Sequence, residues 1–473
     1  MSSFRQAELP AGGAKAQNGV RLFWFRRDLR LADNRAFSAC LKQAKAQGQT
    51  VEAVYVHDVV GAGPAAPGAA ARCYLHFSLI DLQARLAALG IPLHLRVGDN
   101  LGEIESLCNA RGVAAVYWNR LPEPHGLAGD VALIKRLTAL DIRVHPHEQG
   151  TLWVPDSVRK PDGGRYRVFT PFARQARAQL MLLDTQAELC PVPPPMGTGF
   201  SAPDTAIDVL GLLDGRAWPH KLMRYWNPGE SAAQARLSHF VATGLAAYAE
   251  GREFSALDGS SRLSAALHWG EINPWRIVHT LQPALHGAEA TLGAERFLTE
   301  LLWREFAHHL LTAAPDSVSR SLHGGYEALW QSNPEALDRW QRGETGLALV
   351  DAGMRELWET GWMHNRVRMV VASFLTKNIG VHWREGAAWF WDTLVDADLA
   401  SNTMGWQWVA GCGVDAAPYF RVFNPDVQAE RFDPQGAYIR RWLGNRPRPP
   451  AMLDLKQSRL AALARYQALA AHH

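Results

Sequence analysis

The hydrophobic periodicity changes character once along this 473-residue chain, and the change dictates two differently built halves. Over the first 150 residues, short apolar runs at 21–25, 51–57, 92–97, 114–118 and 142–145 alternate with amphipathic stretches such as 71–89 and 127–140. Strand–helix alternation of this kind predicts an α/β domain, a doubly wound parallel five-stranded sheet with right-handed crossovers, Rossmann-like in outline. From about residue 205 the apolar positions follow the 3.6-residue period, at 232–249, 293–312, 350–358, 364–375 and 387–394, which predicts an all-α second domain. Between the two, the turn sequence KPDGG at 160–164 and the polyproline-like PVPPP at 191–195 mark a long linker. The expected division is a disordered tail at 1–18, an α/β domain at 19–150, a linker at 151–204 and a helical domain at 205–473. A chain of this length exceeds what one core holds.

Composition narrows the class. No apolar run reaches the roughly 18 residues that cross a bilayer. The first 18 residues contain Pro10, Gly12 and Gly13 and no apolar core, so no signal peptide is expected. The five cysteines are scattered and form no CxxC pair, which fits a reducing cytoplasm with neither a disulfide framework nor a zinc site. A net charge of +3 permits nucleic-acid binding without predicting it.

The glycines Gly61 and Gly63 with the alanines after Pro64 imitate a dinucleotide fingerprint, but they follow the second strand, and that fingerprint belongs to the first strand–helix turn. The first turn instead reads FRRDLRLADN at 25–34, whose arginines have either an anion or Asp28 and Asp33 as partners. Gly259-Ser-Ser-Arg-Leu-Ser264 opens a helical pattern and offers an anion site; the plainer reading is a serine N-cap. Glu300, Trp303 and Arg304 fall at i, i+3 and i+4 on one helix face. Glu305 and His308 have the ExxH spacing of di-metal bundles but no second copy, so no metal is expected. Arg366 and Arg368 sit in an apolar pattern and need partners, Asp396 or Asp398. Of 18 tryptophans, ten lie in the last third, and 396–408 is the densest segment there in chemistry, with Asp396, Asp398, Asn402, Trp406 and Trp408. Core packing is the usual fate of such rings, yet π-faces at this density also suit cofactor packing, base stacking and electron hopping.

The blocks FWFRRDLRL at 23–31, WMHNRVRM at 362–369 and DLASNTMGWQW at 398–408 together resemble the photolyase/cryptochrome family, in order and over about 20–445, with the class I cyclobutane-dimer branch as the nearest likeness. The resemblance implies light-driven repair of ultraviolet-damaged DNA by a reduced FAD buried in the helical domain, by a monomer. It assigns Tyr248 and Ser260, Ser261, Arg262, Leu263 and Ser264 to the FAD phosphates, and Phe297 to the flavin. Asp396, Ala397 and Asp398 line the flavin and ribose, Arg368 pairs with Asp396, and Asn402 faces flavin N5. It makes Trp406, Trp383 and Trp330 an electron relay. Glu300, Trp303, Asn365, Met369 and Trp408 form the lesion pocket; Arg252, Arg366, Arg421 and Gln428 hold the DNA strand. Glu123 is the candidate contact for an antenna pigment, with three alternatives open: methenyltetrahydrofolate, a deazaflavin, or no antenna. Asn402 and Met369 favour repair of cyclobutane dimers over the two alternatives, a cryptochrome-type photoreceptor and a (6-4) photolyase. Trp358, Trp389 and Trp391 are expected to fill the core.

Overall fold

The computed structural model describes residues 19–61, 63–148, 150–195, 206–213, 215, 218–286, 291–445 and 448–470. The expected tail at 1–18 lies outside them. Strands β1 (Val20–Phe25), β2 (Val51–Asp58), β3 (Leu93–Gly98), β4 (Val113–Asn119) and β5 (Arg143–His147) form one parallel sheet in the order β3-β2-β1-β4-β5. The pleat sends alternate residues to opposite faces. Leu22 and Trp24 join Val54, Val116 and Trp118 against Ile104, Leu107, Leu133 and Leu137. Phe23 and Phe25 face the other way, onto Phe37, Leu75 and Leu79. That second core runs on without a break into Leu222, Trp226, Trp269, Trp362 and Val395, so the helical half is built onto one face of the sheet.

Strand order reverses between β1 and β4, where doubly wound sheets open a ligand crevice. Here the crevice is plugged. Arg26 pairs with Asp130 at 2.9 Å, and Asn119 donates to Asp28 at 2.6 Å and to Asn34 at 2.9 Å. Asp33 is taken by Arg276 of the helical half at 2.8 Å. The first turn therefore stitches the two halves together, through Asp33 and through Arg30, which donates to Gly270 O at 2.7 Å. Beyond the misleading glycines, Gly68 is pressed against the helical half: a Cβ there would meet Trp391 O at 2.2 Å.

Three expectations need correction. The segment at 151–204 is not irregular throughout, since Phe169–Leu180 is a helix burying Phe169, Phe172, Ala173, Ala176 and Leu180 at helical spacing. Phe169 stacks on Trp303 at 3.5 Å with the planes 7° apart. Trp358 is 62% exposed rather than core, lying parallel to Trp389 at 6.0 Å under Lys221; Trp389 and Trp391 are half-buried against the core. The helix expected at 364–375 is α-helical only over Asn365–Ser373 and continues as a π turn, Phe374–Ile379.

Candidate active site

Three helices wall a cavity of about 540 Å³. Leu292–Ala313 contributes Arg296, Glu300, Trp303 and Arg304, one stripe at helical spacing. Asn365–Ser373 contributes Asn365, Arg366, Arg368, Met369 and Ala372. Leu399–Ala410, capped by Asp398 through Ser401 N at 2.9 Å, contributes Asn402, Gly405, Trp406 and Val409 from one face, with Trp408 at the wall. Asp396, Ala397, Asp398, Ser264, Arg252 and Glu253 also line the cavity, with the apolar Phe390 and Leu394.

Polar groups around the cavity are held in place before any ligand arrives. Arg368 donates to Met363 O at 2.7 Å and to Asp396 at 3.0 Å. Asn402 donates to Ala387 O at 3.0 Å, which fixes its rotamer. Burial would raise the Asp398 carboxyl, but His308, His268 and Arg27 outweigh it and hold the group well below the usual carboxylate range. At the mouth, Glu300 is ion-paired with Arg252, and Arg366 with Glu253. Both arginines are thus neutralised internally. Burial, and then the crowding of Arg252, Arg431 and Arg421, lowers the pKa of Arg366. Beside it opens a second cavity of about 300 Å³ lined by Arg366, Arg421, Asn424, Gln428, Arg431 and Phe432.

Not every residue singled out in the sequence lies on this wall. Ser264 does, but it begins a helix of five residues whose cap is Leu263 with no side-chain hydrogen bond, so neither the N-cap nor the long-helix anion site is realised. Arg262 turns away, φ 49°, to pair with Asp258 at 3.2 Å and cover Trp362 at 4.7 Å. Ser260 and Ser261 are half-buried and outside the cavity lining. Tyr248 and Phe297 are buried against each other, ring centres 5.3 Å apart, and Phe297 packs on Phe240 instead of facing the cavity. Glu123 is 0% exposed and ion-paired with Arg27, beside an interdomain void of about 20 Å³. Its carboxylate is buried in that pair. Glu305 and His308 do not converge: Glu305 accepts from Leu152 N at 2.8 Å, and His308 lies 3.8 Å from Asp398. Among the described residues no group of three metal-ligating side chains occurs.

Of the three tryptophans expected to form a relay, Trp406 lines the cavity, while Trp383 and Trp330 are buried outside its lining. Sequence reasoning missed Trp340, whose ring meets Trp406 at 6.2 Å, and Arg431 in the second cavity. Arg431 was findable as the residue three after Gln428, one turn along the same helix face.

Residues 21–195 match the family described as DNA photolyase, and residues 297–468 match the FAD binding domain of DNA photolyase. A deoxyribodipyrimidine photo-lyase of Agrobacterium fabrum is 39% identical, over 89% of this chain and 86% of its own. The crystal structure of a bacterial class III photolyase from Agrobacterium tumefaciens superposes with a TM-score of 0.87 at 36% identity, covering 96% of this chain and 98% of that one. A Synechocystis cryptochrome structure gives 0.81 at 28% identity, over 94% and 99%.

Proposed function

This chain belongs to the DNA photolyase family, and we propose from that premise that it is a light-driven DNA repair lyase that splits cyclobutane pyrimidine dimers. The observation that carries the reading is the shared cavity. One wall presents Arg368–Asp396, Asn402 and Trp406, and the mouth presents Glu300, Trp303, Met369 and Trp408. A redox cofactor and a flipped base thus have one space to meet in. The residues fit FAD: the volume lies in the roughly 300–1,000 Å³ range of ligand pockets, and the donors suit a flavin edge and ribose. FAD supplies light-driven one-electron chemistry when bound.

The chain's own groups do the rest. Arg368 and Asp396 hold each other rigid, so a ligand meets preorganised donors. Trp303 and Trp408 offer stacking faces to a base taken out of the helix. Glu300, once Arg252 swings to a phosphate, is free to hydrogen-bond the base edges. Water is excluded by the apolar lining of Met369, Phe390, Leu394 and Val409. The division at 150 and 205, the monomeric state and a cytoplasmic location belong to the same proposal; none of the described helices is long and apolar enough to cross a membrane.

Pre-reduced protein under blue light should remove thymine dimers from an irradiated oligonucleotide, with no removal in darkness. A fully reduced sample that repairs nothing under blue light sinks the reading and leaves the photoreceptor role suggested by the cryptochrome likeness.

A further inference from the structure

The surroundings of the two outer relay tryptophans hold more than aromatic contacts. Trp330 Nε1 donates to Thr376 O at 3.1 Å. That carbonyl lies in the π turn Phe374–Ile379, where the amides of Gly380 and Val381 both go to Leu375 O, which leaves it to the indole. Trp383 Nε1 donates to Ser321 Oγ at 3.1 Å. Trp406, next to the cavity, has a buried Nε1 with no partner among the described residues. His382 touches both outer rings, its centre 4.8 Å from Trp330 and 5.6 Å from Trp383. Its Nδ1 accepts from Arg384 N at 3.0 Å, so its proton sits on Nε2, which donates to Glu327 at 2.7 Å. The other Glu327 oxygen accepts from Ser321 N at 3.2 Å. Burial pushes the Glu327 carboxyl up, but the hydrogen bonds from Ser321 and His382 hold it below its ordinary value. One carboxylate is therefore a single residue removed from each outer indole, through His382 from Trp330 and through Ser321 from Trp383.

We infer that Glu327, with His382 and Ser321, is the counter-charge of the relay: it stabilises a positive hole on Trp330 and Trp383 relative to Trp406 and so makes electron flow toward the cavity one-way. The inference rests on the proposed function and on the electron relay that the family resemblance implies for Trp406, Trp383 and Trp330. Trp330 gives up one electron inward and becomes a radical cation. Its N–H is held by the Thr376 carbonyl, so the species formed at the moment of transfer is the cation that a nearby carboxylate stabilises. One electron from a thiol-class reductant in solution restores the indole. An acceptor on the N–H and a nearby carboxylate both favour the cation; Trp406 has no N–H acceptor among the described residues. The plainer roles are visible too, since His382 caps the Trp383–Thr393 helix. Capping does not require the carboxylate.

Glu327 is 43% exposed, so salt must weaken the effect. That screening separates charge from packing. The test is flash photolysis of the full-length protein loaded with oxidised FAD, following the tryptophan radical before any reductant acts. Glu327→Gln should shorten the radical's lifetime about threefold or more at low salt and abolish its salt dependence. Glu327→Asp should restore most of both. An unchanged lifetime in Glu327→Gln, with the radical lost in Trp330→Phe, overturns the inference and leaves the relay intact. A radical that persists unaltered in Trp330→Phe overturns the relay and the inference with it. Should Glu327→Gln fail to fold, the unmodified protein decides: a lifetime indifferent to salt between about 10 mM and 1 M overturns the proposal.

Discussion

At the scale of single residues, the cavity depends on what is missing from Gly386. A Cβ there would meet Trp406 Cη2 at 2.0 Å and Cζ3 at 2.4 Å, so the indole lies on bare backbone of the Trp383–Thr393 helix. The other face of the contact is filled by Phe390 at 5.0 Å and Trp340 at 6.2 Å, which leaves Trp406 nowhere to retreat except into the cavity. Gly386→Ala should therefore cost about 1–3 kcal/mol through overpacking. It should also lower the flavin retained per protein, read as absorbance after gel filtration. Full retention with an unchanged melting temperature would show that Trp406 shifts without disturbing the pocket. The same contact explains why charge is handled elsewhere: an indole wedged among Gly386, Phe390 and Trp340 has no room for a polar partner, whereas Trp383 and Trp330 have Ser321 and the Thr376 carbonyl.

At the scale of elements, the π turn Phe374–Ile379 does two things. It supplies the Trp330 carbonyl, and it buries Lys377 completely beneath the loop that carries Arg421, with Nζ donating to Arg421 O at 3.0 Å and facing the Tyr419 ring at 5.3 Å. Burial pushes the Lys377 ammonium down to about 7 from 10.5. The unfolded chain thus holds this proton more tightly than the native state, so the penalty is full below about pH 7 and fades as pH rises toward 10.5. Lys377→Met should raise the melting temperature at pH 6 more than at pH 9.5, and should weaken binding of irradiated oligonucleotide a few-fold by freeing the Arg421 loop. Scanning calorimetry at the two pH values checks the first half; a lower melting temperature at pH 6 would refute it. Elements of this kind bear on legibility. Strands and helices were readable because period 2 and period 3.6 are properties of local sequence, and the helix at Phe169–Leu180 was readable too, had its Phe169, Phe172, Ala176, Leu180 spacing been weighed above its flanking prolines. A π turn, the sealing of Glu123 by Arg27 and the exposure of Trp358 were not readable, because each depends on which distant segment arrives opposite. The cavity wall around Asp396–Trp408 was legible as dense chemistry; which of its partners face inward, and that Phe297 does not, needed the packing of three helices.

At the scale of the whole molecule, a net charge of +3 says little about a polyanionic partner, and the structure explains how so small a surplus can serve. Positive charge is concentrated rather than accumulated. Arg366, Arg421 and Arg431 share the walls of the second cavity, at the rim of the first, closely enough that the three crowd one another. Arg366 is tied to Glu253 and lies 4.3 Å over the Phe432 ring, so one face of it is already neutralised and stacked. Arg431 also faces Phe432, at 5.0 Å, and meets no acid among the described residues. A phosphate entering this cavity meets Arg431 and Arg421 as open charges and Arg366 only after exchange with Glu253. Binding of single-stranded irradiated oligonucleotide should then fall with salt at a log–log slope of about −1.4, since each of the two open arginines neutralises a phosphate and each such phosphate on a single strand contributes about −0.7. Arg431→Gln should reduce that slope by about 0.7 and weaken dimer-containing and undamaged strands alike, because a phosphate contact carries no information about the lesion. Fluorescence anisotropy across a salt series measures both. A slope left unchanged by Arg431→Gln would place the strand away from this cavity, and a loss confined to the damaged strand would move Arg431 from the backbone track to the lesion itself.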